Sequence, residues 1–194
     1  IYKVHWQGIA LGAPAEITIY HTSKNYAEKI LEKSVNKLIS LENLFSLYNE
    51  NSQLSRLNRD GFLNSPDPEM ISVLFLSKKY SKITNGAFDI TVQPLWNLYK
   101  EHFNKSNIPP STKKISEKLK LVNIDNIYIH KNEIRYLIKG MSSTLNGIAQ
   151  GYITDRISEF FIESGIENTL VQIGEYRGIG DHPNGRPWRL HISN

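Results

Sequence analysis

A chain of 194 residues that is 40% hydrophobic and 22% charged is long enough to bury one substantial core, so a single domain is expected. Its formal charge of +4 favours anionic partners, yet Lys78-Lys79 and Lys113-Lys114 are the only adjacent lysine pairs, so no basic stripe forms and no nucleic-acid partner is expected. The absence of cysteine excludes disulfides, thiolate metal sites and cysteine nucleophiles, and no apolar run approaches the roughly 18 residues a membrane helix needs.

In chain order, Ala15 to Tyr20 alternates and is β-branched, predicting a strand that pairs with Tyr2 to Gln7 across a Gly8–Pro14 connection. Apolar residues at Ala27, Ile30, Leu31, Val35, Leu38, Leu41 and Leu44 then predict a helix from about Ser23 to Leu44 with one inward stripe. The next helix has clear punctuation: Asp67 as N-cap, Pro68 at the first helical position and Asn85-Gly86 as a left-handed stop. Its inner face is expected at Val73, Leu76, Tyr80 and Ile83. Pro94 opens a shorter helix through Phe103, and residues 104–112, with Pro109-Pro110, read as a surface connection and a candidate lobe boundary.

Ile127 to Ile129 and Ile134 to Ile138 flank a polar turn, which predicts a hairpin. A helix is expected to start near Gly147, bury Ile148, Ile153, Ile157, Phe160 and Phe161, and stop at Gly165. Thr169 to Ile173 and Trp188 to Ile192 read as strands, the second after an Asn184-Gly185 turn. Hairpins mixed with helices predict an α+β fold with mixed or antiparallel sheets. The start at Ile1 rather than methionine fits either a removed leader or a trimmed chain, and the stop just after an apolar strand leads us to expect a further C-terminal segment.

Familiar catalytic motifs are absent. There is no Gly-x-Ser-x-Gly elbow, no His-Glu-x-x-His helix and no Gly-x-Gly-x-x-Gly turn; Gly180 to Gly185 has P-loop spacing but lacks the lysine. Three segments do carry usable chemistry. Thr144 to Tyr152 takes a strand end through small residues into a helix start, where free amides favour a phosphate; close helix packing explains the same glycines equally well. Asn85 to Thr91 sets Asp89 beside Phe88 after a helix stop, which suits either a ligand or metal contact or a loop cap. Phe45 to Asn58 combines hydroxyls, amides and Tyr48, a ring that can stack on a planar ligand or stay half-buried.

Taken together and in this order, the segments resemble the FAD:protein FMN transferases of the ApbE family, once named thiamine-biosynthesis lipoproteins. Phe45-Ser46-x-Tyr48 with Ser52, Leu54, Ser55 and Asn58 is similar to the family's first block, and Gly86 to Thr91 with Pro94-Leu95 to its second. Asn146 to Tyr152 with Asp155 is similar to the third, and Ile173-Gly174-Glu175 through Gly180, followed by Gly185 to Trp188, to the fourth. The resemblance implies an α+β flavin-transferase fold over residues 1–194, incomplete at its C-terminus, and flavin or adenine contacts at Leu11, Tyr48, Ala87, Phe88, Asp89, Thr144 and Gln150. It also implies a Gly147 carbonyl on magnesium, with the other metal ligands and the catalytic residues unassigned in this chain. Leu11 stands where the family commonly has methionine, Thr144 where it has aspartate, Gln150 where it has lysine and Glu175 where it has glycine.

The implied reaction is magnesium-dependent transfer of FMN from FAD to a Thr or Ser hydroxyl, with release of AMP. Alternatives are a pyrophosphatase that hydrolyses FAD to FMN and AMP, and a flavin-binding protein without turnover. The implied partner is an acceptor flavoprotein of an electron-transfer complex, and the implied location is exported or periplasmic, with membrane attachment only through a removed N-terminal lipid anchor. If residues 1–194 are a fragment, they are expected to be inactive alone.

Overall fold

The computed structural model describes residues 1–190. Its elements in chain order are β1 (Tyr2–Ala10), β2 (Ala13–His21), α1 (Lys24–Phe45), α2 (Gln53–Asp60), β3 (Phe62–Asn64), α3 (Pro68–Ile83), α4 (Gln93–Phe103), α5 (Thr112–Leu119), β4 (Ile127–His130), β5 (Glu133–Tyr136), α6 (Ala149–Glu163), β6 (Asn168–Ile173) and β7 (Tyr176–Ile179). This is the α+β class expected. Two compact units form: one from Ile1–Glu42 together with the chain from Ala149 onward, the other from Asn43–Ile148. Residues 104–112 lie inside the second. Among the described residues, no helix is long and apolar enough to cross a membrane.

The first unit holds an antiparallel sheet in the order β1-β2-β6-β7. Its register sets Ala15, Ile17 and Ile19 opposite Ile173, Val171 and Thr169. Side chains alternate along a strand, so these six share one face, and all are buried. Helix α6 packs on β6 and β7 and buries Ile153, Ile157 and Phe161. The β1–β2 connection is tighter than the expected Gly8–Pro14 loop: both strands run on until only Leu11 and Gly12 remain between them, with φ of 52° and 77°. Two left-handed residues match the twist of a two-residue hairpin.

The expected strand at Trp188 to Ile192 is not formed at Trp188–Leu190, and the rest of it lies outside the described residues. The position beside β6 belongs to β7. Trp188 instead packs its ring over Gly178 and donates its indole N–H to the Ile179 carbonyl at 3.2 Å. An apolar stretch that covers a strand and one that joins it have the same composition.

In the second unit, β3-β5-β4 form a small antiparallel sheet with α2 beside β3 and α3 against β4. Asp67 caps α3 through the Glu69 amide with Pro68 in the first turn, and Asn85 and Gly86 follow its end with φ of 51° and 82°. The buried face of α3 is Met70, Val73, Leu74, Ser77 and Ser81. That corrects the expected face, since Tyr80 and Ile83 are 44% and 64% exposed. Apolar residues surround this helix, so their spacing does not single out a face; the small Ser77 and Ser81 let it approach its neighbours closely.

Candidate functional site

The first block, Phe45 to Asn58, builds a platform from its own hydroxyls. Ser46 Oγ accepts from the backbone N–H groups of Tyr48 and Asn49, both at 3.1 Å. The Ser46 carbonyl in turn accepts from Ser52 Oγ at 2.5 Å and Ser55 Oγ at 3.0 Å. Ser52 also caps α2 through the Ser55 amide at 2.9 Å, while Leu54 and Leu57 are fully buried beneath. The serines therefore fix the loop, and what the loop presents is Tyr48. Its side chain is 92% exposed and its hydroxyl has no hydrogen-bond partner among the described residues.

Asn58, at the other end of the block, locks α2 to the segment that leads to Gly147. Its Nδ2 donates to the Ser143 carbonyl at 2.8 Å, and its Oδ1 accepts from the Ser143 amide and the Tyr136 hydroxyl, each at 2.7 Å. Burial pushes the Tyr136 phenol well above its ordinary value of 10.0. A raised folded-state value keeps the proton on, so the associated stability is complete below pH 10 and is lost as pH rises beyond the unfolded value. Tyr136→Phe is expected to cost about 1 kcal/mol at neutral pH. It is also expected to flatten the loss of stability above pH 10, measured by urea unfolding across pH.

In the second block, Asp89 is a hub. Oδ1 accepts from the Thr91 amide at 2.8 Å and the Thr91 hydroxyl at 2.6 Å, and Oδ2 accepts from the Ile124 amide at 2.9 Å. Phe88 stands half-buried, edge-on to Tyr80, with its backbone N–H held by Thr84 Oγ1 at 3.0 Å. A Cβ placed on Gly147 would lie 3.3 Å from the Phe88 ring, so a glycine there lets ring and backbone approach. The Thr144 amide donates to the Ile90 carbonyl at 2.8 Å, and its Oγ1 accepts from the Asn146 amide at 3.2 Å. Phe88, Asp89, Thr144 and Gly147 are thus parts of one local assembly, with Ala87 exposed at its edge.

Leu11 and Gln150 belong to the first unit. Leu11 occupies the hairpin turn and donates its amide to Glu42 Oε1 at 2.9 Å. Gln150 lies over Gly174, where a Cβ would be 2.5 Å from Nε2, and Gly174 has φ of 77°. The glycine supplies both the left-handed turn and the room for the amide.

The second unit also contains an open cavity of about 690 Å³ that Tyr48, Asn58, Ser142 and Asn146 line together. Glu50, Arg59 and Lys100 supply its charges, and Trp96 its second aromatic. Arg59 is held by Asp60 at 2.9 Å and donates to the Glu50 carbonyl at 3.2 Å. Asp89 lines a different depression of about 700 Å³ with Lys78 and Lys82. The sequence reading missed the contribution of α4, although Gln93, Trp96, Asn97 and Lys100 recur at helical spacing and the signal was there to find. An exposed aromatic, amides and cations at one cavity suit a planar, polar-edged, anionic ligand.

Magnesium fits the described residues poorly. No three His, Cys, Asp or Glu side chains among them come together, and Asp89 already holds three donors. Magnesium asks for six oxygens at close range, commonly including a carboxylate. Gly147 offers a carbonyl, and the neighbouring Thr144 a hydroxyl that already accepts from Asn146.

The second unit thus carries an open cavity lined by Tyr48, Trp96 and Asn146, with the make-up of a small-molecule site. The profile of the ApbE family matches residues 11–194. The chain belongs to the ApbE family. It is similar to an FAD:protein FMN transferase of Vibrio cholerae, 28% identical over 98% of this chain and 58% of that protein. It is also similar to one of Haemophilus influenzae, 32% identical over 76% of this chain and 45% of that protein. Among solved structures, the flavin transferase ApbE from Vibrio cholerae aligns with a TM-score of 0.86 at 25% identity, covering 98% of this chain and 63% of that one. The chain spans about half the length of the curated relatives it matches.

Proposed function

We propose that this protein transfers FMN from FAD to a Thr or Ser hydroxyl of an acceptor flavoprotein and releases AMP. The observation that carries this reading is the family match over residues 11–194, joined to a cavity lined by both the exposed Tyr48 and Asn146, which precedes Gly147. In the reaction the acceptor oxygen bonds to the FMN phosphorus, the phosphoanhydride bond breaks, AMP departs with the bridging oxygen, and the hydroxyl proton passes to solvent or a base. The chain's own contribution is positional: Tyr48 stacks on the flavin, and the Phe88–Gly147 contact shapes the loop beside it. Leu11, Ala87, Asp89, Thr144 and Gln150 are the remaining flavin or adenine contacts that the reading proposes. If a magnesium ion takes part, the Gly147 carbonyl is the ligand this reading assigns to it, and the described residues bring no cluster of carboxylates to complete its shell.

We place the acceptor in an electron-transfer complex and the protein outside the cytoplasm, with any membrane attachment made only through an N-terminal lipid anchor. Thr144 and Gln150 motivate a second reading, flavin binding without turnover, because a hydroxyl and an amide carry no charge for a pyrophosphate. The full-length protein, FAD, magnesium and a candidate acceptor separate the outcomes by mass spectrometry and nucleotide chromatography. Acceptor carrying FMN with equimolar AMP supports transfer. Free FMN and AMP with unmodified acceptor support hydrolysis instead, and stoichiometric binding without AMP supports a carrier.

A further inference from the structure

One face of α4 goes unused in packing. Gln93, Trp96, Asn97 and Lys100 stand at i, i+3, i+4 and i+7, and all four line the cavity that holds Tyr48. The core takes Pro94 from this helix instead. A single exposed tryptophan needs no explanation. Trp96, 63% exposed, differs because it shares its cavity with a second exposed ring, Tyr48, and neither touches another aromatic ring among the described residues. The Gln93 amide donates to Asn97 Oδ1 at 2.7 Å, which orients Asn97 and leaves its own NH₂ free to donate. Lys100 is exposed and has no ion-pair partner among the described residues.

We propose that Trp96 is the second wall of the cavity and a specificity-determining residue for the flavin half of the substrate, stacking on the isoalloxazine ring while Lys100 and Asn97 meet its carbonyl edge. This rests on the flavin reading above and adds a residue to it. An isoalloxazine is flat and electron-poor, and its pyrimidine end carries two carbonyls. Indole is electron-rich and offers the larger stacking surface, while an ammonium and an amide NH₂ are the donors that two carbonyls require. The cavity volume of about 690 Å³ lies within the roughly 300–1,000 Å³ typical of small-molecule sites. The adenine half has no carbonyl for these donors, so the α4 face distinguishes the two ends of the dinucleotide.

The test measures binding of riboflavin, FAD and ADP to the full-length protein by calorimetry and flavin fluorescence. Trp96→Ala is expected to weaken riboflavin and FAD each about tenfold and to leave ADP unchanged. Trp96→Phe is expected to keep most of the affinity but leave the bound flavin brighter, because indole quenches excited flavin and a phenyl ring does so poorly. Circular dichroism of both variants should match the parent, since the side chain is exposed. If the parent binds riboflavin and FAD and Trp96→Ala binds them equally well, the second wall is refuted while the flavin reading stands. If the parent binds no FAD, both fall.

Discussion

Asn58→Ala is expected to destabilise the full-length protein by about 3 kcal/mol and to weaken FAD binding with it. The side chain makes one donated and two accepted hydrogen bonds, all at 2.7–2.8 Å, and Ser143 on the far side is fully buried. Alanine strands the Ser143 amide, the Ser143 carbonyl and the Tyr136 hydroxyl together. The binding effect follows because residues 142 and 146, on the segment Asn58 holds, line the Tyr48 cavity. Asn58→Asp should rescue little, since it keeps the acceptor but turns a carboxylate oxygen toward the Ser143 carbonyl. Combining Asn58→Ala with Tyr136→Phe should cost less than the sum of the two, because they share a bond. Urea unfolding of the four proteins checks this; a loss below about 1 kcal/mol for Asn58→Ala would show that water replaces the amide.

Asp89→Ala is expected to cost a similar amount, about 3 kcal/mol, by leaving the Thr91 amide, the Thr91 hydroxyl and the Ile124 amide without their acceptor. Thr91 is fully buried, so its hydroxyl has no solvent to turn to. Asp89→Asn should retain the two bonds to Oδ1 and oppose an NH₂ to the Ile124 amide, giving roughly half the loss. Three donors occupy three of the roughly four acceptor positions that a carboxylate offers, so a ligand contact at Asp89 has room for one bond at most. A variant as stable as the parent in thermal unfolding would mean that this hub is not holding the loop.

These two residues show how the chain could and could not be read from its sequence. Helix α3 was legible at both ends because Asp67-Pro68 and Asn85-Gly86 act locally, each through its own backbone geometry. Its buried face was not, because apolar residues lie all round it. The eight-residue helices α2 and α5 escaped notice: each is too short to show a period, and their caps, Ser52 and Ser111, resemble any loop serine. At the site, Tyr48, Phe88, Asp89 and Gly147 could be singled out by residue type and order. Their division of labour could not. A carboxylate beside an aromatic reads equally as ligand contact or cap until the donors around it are placed, and the three serines look like ligand groups until Ser46 is seen to bind its own loop.

The most direct measurement is a crystal structure of the full-length protein with FAD bound. The account predicts the isoalloxazine ring within stacking distance of Tyr48, with residues 142–146 and α4 around it. A flavin bound elsewhere, with the Tyr48 cavity still filled by solvent, would contradict it.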